Sequence, residues 1–199
     1  MKKYIVIFAL ALGVSINLNA QMAISAGGIF SPIDAKVNIV QTEAGTIYEN
    51  AYQPLYGGYV SVTDNSVGPL EMMLDASYAV GNLTSSKHGD AVFADWKDST
   101  FEPLKSFSAS MLIGKVLSRP YARFRFPVFI GPCLSISNSL PAKYTALEIA
   151  ARVGVEGFIT DRVAVIVCAN GRLGTGKIAS NAKAKESAAY LTVGLLYQM

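Results

Sequence analysis

The chain has 199 residues, enough for one domain, and carries a formal net charge of +3 with a single His and two Cys. Removing the N-terminal Lys2 and Lys3 leaves +1, which argues against a nucleic-acid binder, whose clustered basic face needs a larger excess. Two cysteines, Cys133 and Cys168, are too few for a disulfide scaffold and lack metal-ligand spacing, so no catalytic, cofactor or metal site is expected from them.

The first twenty residues have three parts. Lys2 and Lys3 are positive, Tyr4 to Val14 are apolar, and Ser15 to Ala20 end in a small residue. This is the layout of a cleaved secretory signal peptide over residues 1–20, with a mature domain over 21–199. The apolar stretch falls short of the ~20 residues a spanning helix needs. No Cys follows the cut at Ala20, so a lipoprotein anchor is not expected.

Beyond it the hydrophobic pattern alternates, as in strands. Met72, Leu74, Ala76 and Tyr78 oppose Glu71, Asp75 and Ser77. Phe124, Phe126, Val128 and Ile130 oppose Arg123 and Arg125. Leu147, Ile149, Val153 and Val155 oppose Glu148, Arg152 and Glu156. Leu191, Val193, Leu195 and Tyr197 oppose Tyr190, Thr192 and Gln198. Alternate side chains on a strand point to opposite faces, so each segment has one oily and one polar side.

Eight strands are predicted, near 22–30, 55–63, 70–79, 106–117, 121–137, 144–158, 163–173 and 187–198. Long connections at 31–54, 80–105, 138–143 and 174–186 alternate with short ones at 64–69, 118–120 and 159–162. An extra hairpin within 31–54 would make ten strands. This rhythm is that of a transmembrane barrel with short periplasmic turns and longer outer loops. The fold class expected is all-β, an eight-stranded antiparallel up-and-down transmembrane β-barrel.

With oily faces toward lipid, Glu71, Asp75, Arg123, Arg125, Glu148, Arg152, Glu156 and Arg172 gather inside as a balanced network that plugs the narrow lumen. Glu148, Arg152 and Glu156 are expected to form an ion-pair ladder rather than an acid–base pair. Tyr59, Tyr78, Phe107, Tyr121, Tyr144, Phe158 and Tyr197 are candidates for an interfacial girdle. The competing reading is a soluble barrel with the charges outside in water.

The export segment ending Leu18-Asn19-Ala20-Gln21, the opening Ala26-Gly27-Gly28-Ile29-Phe30 and the closing run Tyr190 to Met199 carry a resemblance. The chain resembles the small outer-membrane β-barrel proteins of Gram-negative bacteria, in particular those of Bacteroidetes type. The resemblance implies a fold, an outer-membrane location, and partners in membrane lipid and the barrel-insertion machinery. In that family the last strand serves as the assembly signal and usually ends in Phe, whereas this chain ends in Met199.

Candidate chemistry is thin. Gly171-Arg-Leu-Gly-Thr-Gly-Lys177-Ile178 nearly matches a phosphate-binding loop, but Ile178 stands where Ser or Thr must hold magnesium. It reads as a glycine-rich outer loop. Cys133 and Cys168 fall on non-neighbouring strands, roughly 10 Å apart, and are expected to be free thiols. The function expected is non-enzymatic: a structural protein, or one presenting loops for adhesion or an envelope partner, with Lys87, His88, Asp90 and Trp96 as the contact residues. The alternatives are a lipid-modifying enzyme built around His88 and a soluble periplasmic barrel binding a small apolar ligand. No cofactor is implied.

Overall fold

The computed structural model describes residues 22–41, 45–64, 70–88, 91–93, 103–117, 123–139, 142–179 and 182–199. They form strands β1 (Met22–Ser31), β2 (Ala35–Gln41), β3 (Gly45–Asp64), β4 (Glu71–His88), β5 (Ala91–Phe93), β6 (Leu104–Leu117), β7 (Phe124–Ser139), β8 (Ala142–Phe158), β9 (Val163–Ala179) and β10 (Ala182–Gln198). The expected signal peptide over residues 1–20, Asp90, Trp96, Tyr121, and the expected turns over 65–69 and 118–120 lie outside the described residues. Lys87 and His88 belong to β4, where their backbones face Val92 and Ala91 of β5.

Each wall strand pairs antiparallel with the next in the order β1, β3, β4, β6, β7, β8, β9, β10. β10 then pairs with β1, Ala23 facing Gln198 and Phe30 facing Leu191, which closes an eight-strand ring. The two strands left over add no stave. β2 lies between β3 and β10, with Asn38 opposite Glu49 on one side and Lys185 on the other. It runs in the direction of β1 and continues the same stave after a break at 32–34. The break is tied down locally. The buried Ser31 hydroxyl donates to the Ala189 carbonyl at 2.5 Å and accepts from the Ile33 N–H at 3.1 Å. The extra hairpin therefore exists, yet it is the upper half of the first two staves.

Three connections expected to be long are mostly strand. β7 and β8 extend to Ser139 and Ala142, β9 and β10 to Ala179 and Ala182, and β2 and β3 fill most of 31–54. The extension over 174–186 is rich in Ala, Gly and Lys, so its period-2 signal is weak, while strand pairing still satisfies every backbone group it reaches. The glycine-rich run 171–178 is likewise strand, within β9. A Cβ on Gly176 would lie 2.7 Å from the Thr145 carbonyl oxygen and 2.8 Å from the Tyr144 ring. The glycine is there because β8 and its side chains approach closely, and no phosphate cradle is formed. The short turn 159–162 is as expected, with Thr160 Oγ1 accepting from the Val163 N–H at 3.0 Å.

The faces are inverted relative to a soluble barrel. On β8, Leu147 and Ile149 are 67% and 63% exposed while Glu148 between them is 2% exposed. Phe124, Phe126, Val128 and Ile130 on β7 and Leu191, Val193, Leu195 and Tyr197 on β10 are also exposed. A soluble barrel with an oily centre and its charges in water is thereby excluded. Of the expected girdle, Tyr78, Phe107 and Tyr197 face outward. Tyr59 and Tyr144 instead are buried inside, where the Tyr144 hydroxyl donates to Glu186 Oε2, and Phe158 packs inward beside Ala23 and Leu196.

Candidate functional site in the barrel interior

Alternation on β4, β7, β8, β9 and β10 sends a polar set inward at three levels. At mid-height Arg152 is 3% exposed and fully engaged. Its Nη2 meets Asp75 Oδ2 at 2.6 Å, its Nε donates to Asn170 Oδ1 at 2.7 Å, and its Nη1 points at Met73 Sδ at 3.2 Å. The Tyr59 ring lies 5.2 Å from the guanidinium. Asn170 in turn donates to Thr192 Oγ1 at 3.1 Å. β4 is thus tied to β8 across the lumen by a charge-assisted bond, the stronger kind, and β9 and β10 join through Asn170 and Thr192.

Toward the loop end, Arg172 sits between two acids. Its Nη1 is 3.7 Å from Glu148 Oε2 and its Nη2 is 3.6 Å from Glu186 Oε1. Glu186 Oε2 accepts from the Tyr144 hydroxyl at 2.8 Å and from Ser137 Oγ at 3.2 Å. Among the described residues, no hydrogen bond ends on either Glu148 oxygen or on Arg172 Nε. Gly174 on β9 stands opposite Glu148. A Cβ there would fall 2.5 Å from Glu148 Cγ, so the glycine makes room for the carboxylate.

At the turn end, Arg125 stacks on Phe158 at 4.3 Å and donates to Gln198 Oε1 at 3.2 Å. Glu71 Oε1 accepts from the Val116 N–H at 3.3 Å. With Glu156 they line a cavity of about 80 Å³. Between the two upper arginine levels lies a second cavity of about 10 Å³, roughly the room of one water.

Seven of the eight expected interior charges take that place, and the eighth does not. Arg123 precedes β7 and is exposed at the rim, its carbonyl accepting from the Phe158 N–H at 2.8 Å. It follows the parity of Arg125, but the wall has not yet begun there. Glu186 was assigned to a loop by its sequence context and is in fact 3% exposed inside. The signal was present: Ala184, Glu186 and Ala188 alternate with Lys183, Lys185 and Ser187. Among the described residues the balance of four acids and four bases therefore becomes five acids, Glu71, Asp75, Glu148, Glu156 and Glu186, against Arg125, Arg152 and Arg172, with Asp64 buried as well at the turn end of β3. The ladder along β8 does not form either. Residues four apart on a strand stand about 13 Å apart, so Arg152 pairs across the lumen with Asp75 and Glu148 with Arg172 of the neighbouring β9 instead. Cys133 and Cys168 are free and buried in separate apolar clusters, one with Met73 and Phe129, the other with Ile166 and Leu196. The side chains of Lys87 and His88 lie outside the described residues, as do Asp90 and Trp96.

No protein-family model matches the chain, and no curated protein matches it in sequence. Solved structures do match. Outer membrane protein OprG from Pseudomonas aeruginosa is 10% identical, with a TM-score of 0.63, over 90% of this chain and 96% of that one. Neisserial surface protein A is 10% identical, with a TM-score of 0.51, over 89% and 97%. The fold is that of an eight-stranded outer-membrane β-barrel. At such identity the likeness is one of architecture and carries no activity with it.

Proposed function

We propose that this chain is a non-enzymatic protein of the Gram-negative outer membrane, of Bacteroidetes type, that spans the bilayer as a plugged barrel and presents its loop end outside. The observation that carries this reading is the inversion of faces on a closed ring. Lipid tolerates only walls whose backbone groups are all paired, and β1 closing on β10 leaves no free edge. The outward rows are apolar, and the buried charges turn inward, which is the arrangement a bilayer selects.

The filled lumen disfavours a passive pore, because Arg152 and Arg172 with their partners occupy its middle. What remains for contact is the loop end. On this reading residues 1–20 are a cleaved signal peptide, the barrel-insertion machinery reads the last strand, and Lys87, His88, Asp90 and Trp96 belong to a surface for adhesion or for an envelope partner.

The test is gel migration before and after boiling, combined with cell fractionation. The unboiled protein is expected to run at a different position and to stay in the membrane pellet without detergent. Release into the soluble fraction, with identical migration, refutes the membrane reading.

A further inference from the structure

Strands β8, β9 and β10 each have 17 residues, well beyond the ~9–11 needed to span a bilayer, so their upper ends project past the apolar band. At those ends four lysines are exposed: Lys143, Lys177, Lys183 and Lys185. Lys177 and Lys183 are directly opposite each other across the β9–β10 pairing. Lys177 also faces Thr145, two residues along the same face of β8 from Lys143. Lys185 follows Lys183 on the outer face of β10. Cross-strand neighbours stand about 5 Å apart and same-face neighbours about 7 Å, so the four stems rise from one small patch.

The patch has no acid on the outward face of its own strands, and Glu49 of β3 stands two strands from Lys185, across Asn38 of β2. Every acid on these three strands, Glu148, Glu156 and Glu186, is buried inside. Their described outward positions carry no Asp or Glu, and none of the four lysines forms an ion pair among the described residues. Like charges directly opposite repel, so the Lys177–Lys183 pair costs stability unless an anion lies between. The other end of the same strands differs: the β8–β9 turn holds Asp161 and Arg162, one of each sign. Below the lysines come Thr145, Thr175 and Ser187, then the strongly exposed Leu147 and Leu173. Ammonium, hydroxyl and hydrocarbon follow in the order of an anionic amphiphile standing against the wall.

We propose that Lys143, Lys177, Lys183 and Lys185 hold the phosphate-bearing headgroup of an anionic lipid in the loop-side leaflet, with its acyl chains along Leu147 and Leu173. The inference rests on the membrane-spanning reading. Lysine suits the task because its long stem lies along apolar surface while its charge stays in the headgroup layer.

The full-length folded protein, reconstituted in mixed phosphatidylcholine and phosphatidylglycerol vesicles, is extracted in mild detergent, and its retained lipids are counted by native mass spectrometry. Severalfold preference for phosphatidylglycerol is expected, falling with added salt. The combined variant K143Q/K177Q/K183Q/K185Q is expected to lose the preference while keeping its heat-dependent gel shift. Lys115→Gln, exposed at the opposite end of β6, is expected to keep it. If the fourfold variant does not fold, Lys183→Gln alone is expected to reduce the preference at least twofold. Equal retention by wild type and a folded variant overturns the proposal. So does displacement of the lipid by inorganic phosphate at matched concentration, which marks a free-anion site. Absence of a gel shift in the wild type overturns the membrane reading itself, which separates the two failures.

Discussion

Two arginines one level apart inside the same barrel are held in opposite ways. Arg152 makes three directed contacts, the shortest to Asp75 at 2.6 Å, and its partner Asn170 passes the network on to Thr192. Arg172 stands 3.6–3.7 Å from two carboxylates and hydrogen-bonds neither. Both are almost wholly buried. The difference teaches that burial of a charge is not a measure of what it contributes. A buried pair stabilises only where geometry returns the lost hydration, and the middle level does so more fully than the upper one.

Breaking the middle level has the largest expected effect. Arg152→Met leaves Asp75 buried without its cation and Asn170 without a donor, at an expected cost of about 3–5 kcal/mol. Urea unfolding of the protein in vesicles measures it, and a loss below ~1 kcal/mol would erase the contrast between the levels.

Next comes the glycine that shapes the upper level. In Gly174→Ala the new Cβ lies 2.4 Å from the Leu147 carbonyl oxygen and 2.5 Å from Glu148 Cγ. The β8–β9 pairing must spread, with an expected loss of about 1–3 kcal/mol read from the same unfolding midpoint.

The sharpest comparison is a pair of double-mutant cycles. The coupling between Arg152 and Asp75 is expected to exceed about 1.5 kcal/mol, and that between Arg172 and Glu148 to stay near 0.5 kcal/mol or less. Equal couplings would show the two levels to be equivalent. Smallest of all is Glu148→Gln, expected to change stability by less than about 1 kcal/mol. Arg172 keeps Glu186, which Tyr144 and Ser137 already orient. A loss as large as that of Arg152→Met would mean that Glu148 carries the upper level.

Much of this arrangement is legible in the chain wherever large apolar side chains mark one face, as on β7, β8 and the last half of β10. There the period of two assigns Glu148, Arg152 and Glu156 to a common side without knowledge of their partners. The signal fades where the outward residues are Lys, Thr or Ala. Glu186 and the upper halves of β9 and β10 were therefore read as loop. Arg123 was misplaced for the converse reason: alternation does not mark where a stave starts.

The order of residues alone determined the strand type and which residues share each of the two faces. These follow from local backbone geometry, which repeats every two residues whatever the chain packs against. Only the tertiary structure decided which charge meets which, since partners such as Asp75 and Arg152 stand 77 positions apart in the chain and are joined by ring closure. It also decided that β2 continues β1 so that the staves number eight, that the charges turn inward, and that among the described residues the interior acids outnumber the bases. Register and the ends of staves depend on neighbouring strands, and no single segment contains that information.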